Sequence, residues 1–362
     1  SQHIGAPCKP LVKKGDQVKV GQLIGDTDAF VSAPIHSSVS GTVKEISTIR
    51  SVTGGDDQVV IIETDGNQDV YEEIKPPVIN DMKDFIAAVR ASGLVGLGGA
   101  SFPTHIKLNP KNLEEVDTLI VNAAECEPFI TSDHRLMLEN TEYIIKGAVA
   151  IMKHLGLKKG HIGVEENKPD AIEKLRKVIA DMGHSGDIEV NVLRARYPQG
   201  AERVMIYEIT GKTLRAGMLP ADVGCVVDNV ETVVAVYKAV IQGRPVMDRV
   251  VTVTGDGIKE PKNFSVYTGT DMSELIDAAG GLKAKIEKII SGGPMMGFPL
   301  YDLHIPCTKT TSAFLFLEHD AVAEAQKIQT ACINCGRCVG VCPGHVLPAR
   351  LATLAERGDM AG

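Results

Sequence analysis

Gly96-Leu97-Gly98-Gly99-Ala100-Ser101-Phe102-Pro103-Thr104-His105-Ile106-Lys107 is the stretch on which the reading of this chain turns. Closely spaced glycines let backbone N–H groups approach a phosphate, and Lys107 can neutralise its charge. The spacing is G-x-G-x-x-S, short of the full dinucleotide fingerprint, and a helical pattern over residues 81–91 precedes it where a Rossmann loop requires a strand. Alone, such a loop is as readily a plain turn. Its surroundings decide the fold. Residues 118–121 read as a strand, 133–154 as a helix, 162–165 as a strand, 169–182 as a helix opened by Pro169, and 188–193 as a third strand. This alternation implies right-handed crossovers and a parallel sheet covered on both faces, with a helix over 229–241 closing the domain.

Before this domain, residues 1–66 read as all-β, with short alternating segments at 12–25 and 33–46 punctuated by Gly, Asp, Pro and Ser. They resemble the two halves of a biotinyl/lipoyl-type β-sandwich. No lysine occurs between Lys19 and Lys44, so a swinging arm is not expected and the module reads as a docking unit. After the domain, a strand at 249–254, a turn at 255–257, a helix at 272–279 and a strand at 313–317 outline a smaller α+β unit. A short helical segment over 321–328 then leads into a run of cysteines.

That run is Cys332, Cys335, Cys338 and Cys342 followed by Pro343, the C-x2-C-x2-C-x3-C-P spacing of bacterial [4Fe–4S] sites. Short spacers let consecutive backbone turns wrap one cubane and donate amides to its sulfurs. Zinc is the competing metal, but its sites usually show two separated cysteine pairs. In two-cluster ferredoxins the fourth cysteine of each run ligates the other cluster. Only one run is present, so a second run beyond Gly362 is expected, and a single cluster held by all four cysteines is the alternative. The remaining cysteines have no partners at ligand spacing: Cys8, Cys225 and Cys307 read as inert. Cys126 lies between Glu125 and Glu127, whose charges raise a thiol pKa, and reads as structural or as lining the site.

The chain has 362 residues, enough for two to four compact units, and its 44% hydrophobic and 23% charged residues suit a globular protein. A net charge of −8 argues against a nucleic-acid partner, which needs a basic face. No apolar run of about 18–20 residues is present to span a bilayer, and no signal-peptide pattern opens the sequence. Membrane association is therefore expected to run through partner subunits, on the cytoplasmic side.

The segment from Gly96 to Lys107 closely resembles the flavin loop of the NADH-binding, FMN-containing subunit of respiratory complex I. Three more segments match that family in order: Val121-Asn122-Ala123-Ala124-Glu125-Cys126-Glu127-Pro128, Tyr197-Pro198-Gln199-Gly200-Ala201-Glu202 and Val227-Asp228-Asn229-Val230-Glu231-Thr232. With the flanking modules, the whole chain resembles the RnfC component of the Rnf ion-translocating NAD:ferredoxin oxidoreductases. The resemblance implies a multidomain α/β chain: residues 1–70 a biotinyl/lipoyl-like β module, 71–246 a Rossmann-like FMN/NADH domain, 247–320 a β-grasp (SLBB-type) unit, and 321–362 a ferredoxin-type segment. It implies that Gly96, Gly98, Gly99, Lys107, Asn122, Tyr197, Gly200, Asp228, Asn229 and Thr232 cradle FMN. Phe102 would face the nucleotide of NAD(H), with Glu125, Glu127 and Glu202 bonding its polar groups. Clusters, two in the full-length protein, would pass electrons toward a ferredoxin-like partner in a membrane-bound complex. Ala124, Ala201 and Asp228 depart from the family pattern, where Asp, Glu and Asn stand.

Taken singly, Glu202 would be a solvated helix residue, Asn229 a helix cap, Phe102 core and Tyr197 loop packing. Gly292-Gly293-Pro294-Met295-Met296-Gly297 is most simply a tight turn, or a surface facing a partner or the flavin. Other functions consistent with parts of the pattern are the diaphorase subunit of a soluble NAD-linked hydrogenase or formate dehydrogenase, a non-catalytic iron–sulfur relay or assembly subunit, and a biotin or lipoyl carrier. The missing hairpin lysine opposes the carrier.

Overall fold

The computed structural model describes residues 2–359 apart from 53, 329 and 343. The chain divides into two compact units, Ser1–Glu318 and His319–Gly362. No helix among the described residues is long and apolar enough to cross a membrane.

The parallel sheet has the strand order Cys225–Asn229, Thr118–Ala123, Lys159–Glu165, Ile188–Leu193. Its central strands carry a buried apolar core, with Leu119, Val121, Ile162 and Val164 fully buried, whereas the edge strand Ile188–Leu193 alternates between buried and exposed positions. From Thr118–Ala123 the chain runs outward through two strands, then returns to place Cys225–Asn229 on the opposite side, with Asn229 level with Asn122. The order therefore reverses between these two strands. A crevice opens at such a reversal beyond the carboxyl ends, and ligands of open α/β sheets bind there. Asn122, Asp228 and Asn229 lie at this reversal.

The expected helix over 133–154 is two helices, Ser132–Glu139 and Thr141–Leu155. Asn140, at φ −120° and ψ 29°, leaves the helical region and serves both ends. Its N–H closes the first helix on the Leu136 carbonyl and its carbonyl accepts from Tyr143 and Ile144 of the second, which packs along Val230–Gln242 so closely that a Cβ on Gly147 would lie 2.2 Å from the Val233 carbonyl. The helix expected before the glycine loop is present as Met82–Ala91, capped by Asp81.

The N-terminal module is two three-stranded antiparallel sheets. One contains the long hairpin Gly41–Arg50 and Asp56–Thr64, and Val18, Ile24 and Val43 form the small core. The unit after the parallel sheet is a mixed five-stranded sheet in the order Lys262–Tyr267, Asp248–Thr254, Ala313–Leu317, Lys288–Ser291, Phe298–Pro299. Its core joins Val251, Val253, Phe314 and Phe316 to Met272, Leu275 and Ile276 of the helix Met272–Ala278.

Lys309 pins these parts together. It is 1% exposed, and its Nζ donates to the carbonyls of Pro34 and Gly93, both at 2.6 Å. Burial pushes this ammonium down to about 7, against the Cys8 and Asp26 charges that favour it. Below about pH 7 the folded state bears the full cost of an interred cation. Between pH 7 and 10.5 the unfolded chain binds more protons, so stability rises with pH. Wild type is expected to gain on the order of 3 kcal/mol relative to Lys309→Met between pH 7 and 10 in urea titrations. Parallel pH profiles for the two proteins would refute this assignment.

Among the described residues of the second unit, the helix Ala321–Lys327 precedes the cysteine run, Arg337–Val341 carries Cys338, and Pro348–Glu356 follows.

Candidate functional site

The glycine loop leaves Met82–Ala91 through Gly93, at φ +69°, where a Cβ would strike the Pro34 carbonyl at 2.2 Å. It then closes on itself. Gly96 N–H donates to the Phe102 carbonyl at 2.9 Å and Thr104 N–H to that of Leu94 at 3.1 Å. The chain re-enters a single helical turn, Thr104–Lys107. Thus the loop that a strand would feed in a Rossmann unit is here fed by a helix and held from outside. Leu97 N–H donates to Thr232 Oγ1 at 2.9 Å, and Arg249 Nη2 donates to the Leu97 carbonyl at 2.9 Å. Arg249 is fixed by Glu231, whose Oε2 accepts from Nη2 at 2.7 Å and Nε at 3.0 Å.

Gly98 and Gly99 differ. A Cβ on Gly98 would lie 2.4–2.5 Å from Asn229 Nδ2 and Cγ, whereas one on Gly99 would meet nothing within 4 Å. One glycine permits close packing below and the other faces open space above. Among the described residues, the buried atoms Ser101 Oγ, Thr104 Oγ1 and His105 Nδ1 of the loop and the turn after it, Gln199 Nε2, Asp228 Oδ2 and, in the N-terminal module, His36 Nδ1 have no hydrogen-bond partner. Buried polar groups without partners are rare, and three of these belong to the loop and the turn after it while Asp228 stands beside Lys107, which fits a polar ligand such as FMN.

Lys107 closes the base. Its Nζ is 2.9 Å from Glu202 Oε2 and 3.9 Å from Asp228 Oδ1. Burial alone would lower its pKa, but Asp228 and Glu202 outweigh burial and raise it, so the cation is secure. Asp228 is raised to about 6 by burial, against the pull of Lys107 and with help from Glu202. A carboxyl with a raised pKa disfavours the folded state once it ionises: the penalty is absent below about pH 4 and complete above about pH 6. Asp228→Asn is therefore expected to stabilise the fold by about 1–2 kcal/mol at pH 7, the gain vanishing as pH falls toward 4. Denaturation at pH 5 and 7.5 checks this, and a pH-independent difference would refute it.

Asn122 donates to the Gly200 carbonyl at 2.8 Å, and Gly200 N–H donates to Cys126 Sγ at 3.3 Å. A Cβ on Gly200 would lie 2.5 Å from the Ala124 carbonyl, so this approach requires glycine. Cys126 thus holds the wall of the site, and burial, first among its causes, raises its pKa. Tyr197, 41% exposed, and Phe102, 38% exposed, are at the surface rather than in the core. Glu202 opens the helix Glu202–Thr210.

Other predicted residues have additional duties. Asn229 caps Val230–Gln242, its Oδ1 accepting from the N–H groups of Glu231 at 2.8 Å and Thr232 at 3.4 Å. Glu125 accepts from the N–H groups of Asp133 at 2.7 Å and His134 at 3.3 Å, capping the helix Ser132–Glu139. Glu127 Oε1 accepts from the N–H groups of Met295 at 2.7 Å and Met296 at 3.1 Å. The turn over 292–297 therefore faces the site, where Gly293 abuts Glu127. Asp133 and Arg249 escape a reading of the sequence because nothing local marks a helix-start acid or a strand-start arginine as a partner of a distant loop.

The four clustered cysteines lie on an open segment of the second unit: Cys332, Cys335 and Cys338 are exposed and Cys342 is partly so. Asn334 and Gly336 adopt left-handed conformations, and Asn334 N–H donates to Cys332 Sγ at 3.4 Å. Among the described residues no group of three or more His, Cys, Asp or Glu side chains converges on a metal position. Four soft thiol donors at short spacing, with left-handed residues between the first three and one sulfur already accepting an amide, fit an iron–sulfur cluster.

The family described as Nuo51 FMN-binding domain matches residues 89–238, the RnfC barrel sandwich hybrid domain 1–67, the SLBB domain 250–299 and the 4Fe-4S binding domain 325–347. The C component of a proton-translocating ferredoxin:NAD(+) oxidoreductase complex from Clostridium ljungdahlii is 45% identical, covering 98% of this chain and 77% of that protein. Its Na(+)-translocating counterpart from Acetobacterium woodii is also 45% identical, over 99% of this chain and 80% of its own. The C component of an ion-translocating oxidoreductase complex from Rhodobacter capsulatus is 38% identical, over 100% and 70%. Among solved structures, a chain of an NAD+-reducing [NiFe]-hydrogenase in the H2-reduced state shares the fold, with a TM-score of 0.57, 22% identity, and coverage of 76% of this chain and 52% of its own. The shared order of four modules, and identity sustained across all of them, place this chain in the RnfC family of the ion-translocating Rnf oxidoreductase complexes.

Proposed function

We propose that the chain exchanges hydride between NAD(H) and FMN held at the sheet reversal, and passes electrons through [4Fe–4S] clusters toward a ferredoxin-like partner of an ion-translocating complex. The observation that carries this reading is the cradle: an open glycine bend and a half-buried cation, Lys107, paired with Glu202 and Asp228 at the sheet reversal. When bound, FMN supplies the conversion between two-electron hydride chemistry and the one-electron capacity of a cluster. The residues of this chain orient and enclose. Gly96, Gly98 and Gly99 admit the phosphate to backbone amides, and Lys107 neutralises it while Glu202 and Asp228 hold the ammonium in place. Asn122, Tyr197, Gly200, Asn229 and Thr232 fix the walls. Phe102, at the lip, gives an aromatic face to the nucleotide, and Glu125, Glu127 and Glu202 supply acceptors for its hydroxyls. Cys332, Cys335, Cys338 and Cys342 supply thiolates to a cluster.

The chain sits at the membrane periphery, on the cytoplasmic face, through its partner subunits. The diaphorase alternative shares the fold, but 45% identity to Rnf-type proteins and the ferredoxin cysteine spacing favour the complex. The test is anaerobic reconstitution followed by flavin, iron and sulfide analysis and NADH titration of the flavin band. Stoichiometric flavin that NADH bleaches is expected. A protein that takes up iron and sulfide but no flavin would reduce the assignment to a cluster carrier.

A further inference from the structure

We propose that Asp133 is a positioning residue for the FMN cradle, acting through Asn229 on Gly98. This role rests on the reading of the glycine loop as the FMN site. Asn229 has little left to offer a ligand through its own side chain. Its Oδ1 accepts from two amides at the start of Val230–Gln242, and its Nδ2 donates to Asp133 Oδ2 at 2.7 Å. What it presents to the loop is a flat amide face. Gly98 packs so closely on that face that a Cβ would overlap Nδ2, Cγ and the Asn229 Cβ. The orientation of this amide therefore sets how deep the bend of the loop can sit.

The helix-start N–H groups fix the oxygen end of this amide, and Asp133, as an acceptor, holds the Nδ2 end, so the amide plane is pinned from both sides. Asp133 is itself held from behind. Its backbone N–H donates to Glu125, so a chain of bonds runs from Glu125 through Asp133 to Asn229 and the underside of the loop. On the adjacent residue the same arrangement repeats: Thr232 Oγ1 accepts from Leu97 N–H, and the Leu97 carbonyl accepts from Arg249. Asp133 is half-buried with Glu125, Glu231 and Arg249 nearby, and burial first, then the two glutamates, raise its pKa.

The test uses the full chain stripped of flavin and titrated with FMN, read by quenching of flavin fluorescence and by the shape of the visible band. Asp133→Ala should weaken FMN binding about tenfold or more, the scale of a lost hydrogen bond to a charged group. Asn229→Asp keeps the helix cap but loses the donor, and should weaken binding similarly. The double variant Asp133→Asn with Asn229→Asp exchanges donor and acceptor across the same 2.7 Å contact. It should recover most of the affinity and the wild-type band shape. Should Asp133→Ala fail to fold, the Asn229→Asp single and the exchanged pair still decide. Affinity unchanged in the single variants, or no recovery in the exchanged pair, overturns the positioning role. Failure of the wild-type chain to bind FMN would instead overturn the cradle itself.

Discussion

Replacing Cys335 with Ser is expected to abolish electron delivery beyond the flavin while leaving the flavin reducible by NADH. Cys335 belongs to an exposed cysteine run in the second compact unit, whereas the glycine cradle belongs wholly to the first. The substitution removes a soft thiolate that binds iron well and installs a hydroxyl with a far higher pKa. Even changes around metal ligands commonly cost about 10- to 100-fold in metal affinity or activity, so loss of a direct ligand should exceed that. Iron and sulfide content should fall, with NADH-dependent ferredoxin reduction, while FMN content and the NADH bleach stay near wild type. The decisive measurement sets NADH:ferricyanide activity against ferredoxin reduction in the same preparation. Loss of both together would show that the two sites are not separable in the way the fold divides them.

The second large effect separates two neighbouring glycines. Gly98→Ala should disturb the protein itself, because its Cβ would lie 2.4–2.5 Å from the capped and hydrogen-bonded Asn229. Overpacking of that kind costs about 1–3 kcal/mol, and FMN affinity should fall with stability. Gly99→Ala adds a methyl group to open space and has no left-handed backbone to offend. It should leave the melting temperature unchanged yet weaken FMN by about tenfold or more, since a methyl then stands where phosphate approaches bare backbone. Thermal melts and flavin titrations on both variants distinguish the cases. Gly99→Ala binding FMN normally would move the phosphate away from this bend.

How far the sequence could carry the fold depends on the range of the forces involved. The strand Ile188–Leu193 and the helix starting at Pro169 were legible residue by residue, because periodicity and a first-turn proline are local signals. The break at Asn140 was not, since one weak helix former in an apolar pattern is outvoted locally and prevails only through packing. The strands Lys262–Tyr267 and Lys288–Ser291 were missed because their half-exposed, lysine-bearing sequences resemble loops until neighbours complete the sheet. In the candidate site, the glycines and the cysteine run announced themselves through spacing. Lys107 was legible as a cation, but not its two carboxylate neighbours, which come from 95 and 121 residues away. Glu125 and Glu127 were legible as acids near the site. Their engagement with Asp133 and His134 and with Met295 and Met296 depends on helix starts and turns that only the folded chain brings near.

Lys309 carries a practical lesson for anyone wishing to study the flavin region in isolation. The amine comes from near residue 310, yet its two acceptors belong to Pro34 and Gly93. A fragment trimmed to the flavin-binding match alone would lose the lysine and the Pro34 side of this knot, leaving the Gly93 carbonyl bare at the root of the glycine bend. Expression clones should therefore run unbroken from the first strands through the second sheet, and shorter cuts should yield aggregates rather than a miniature flavoprotein.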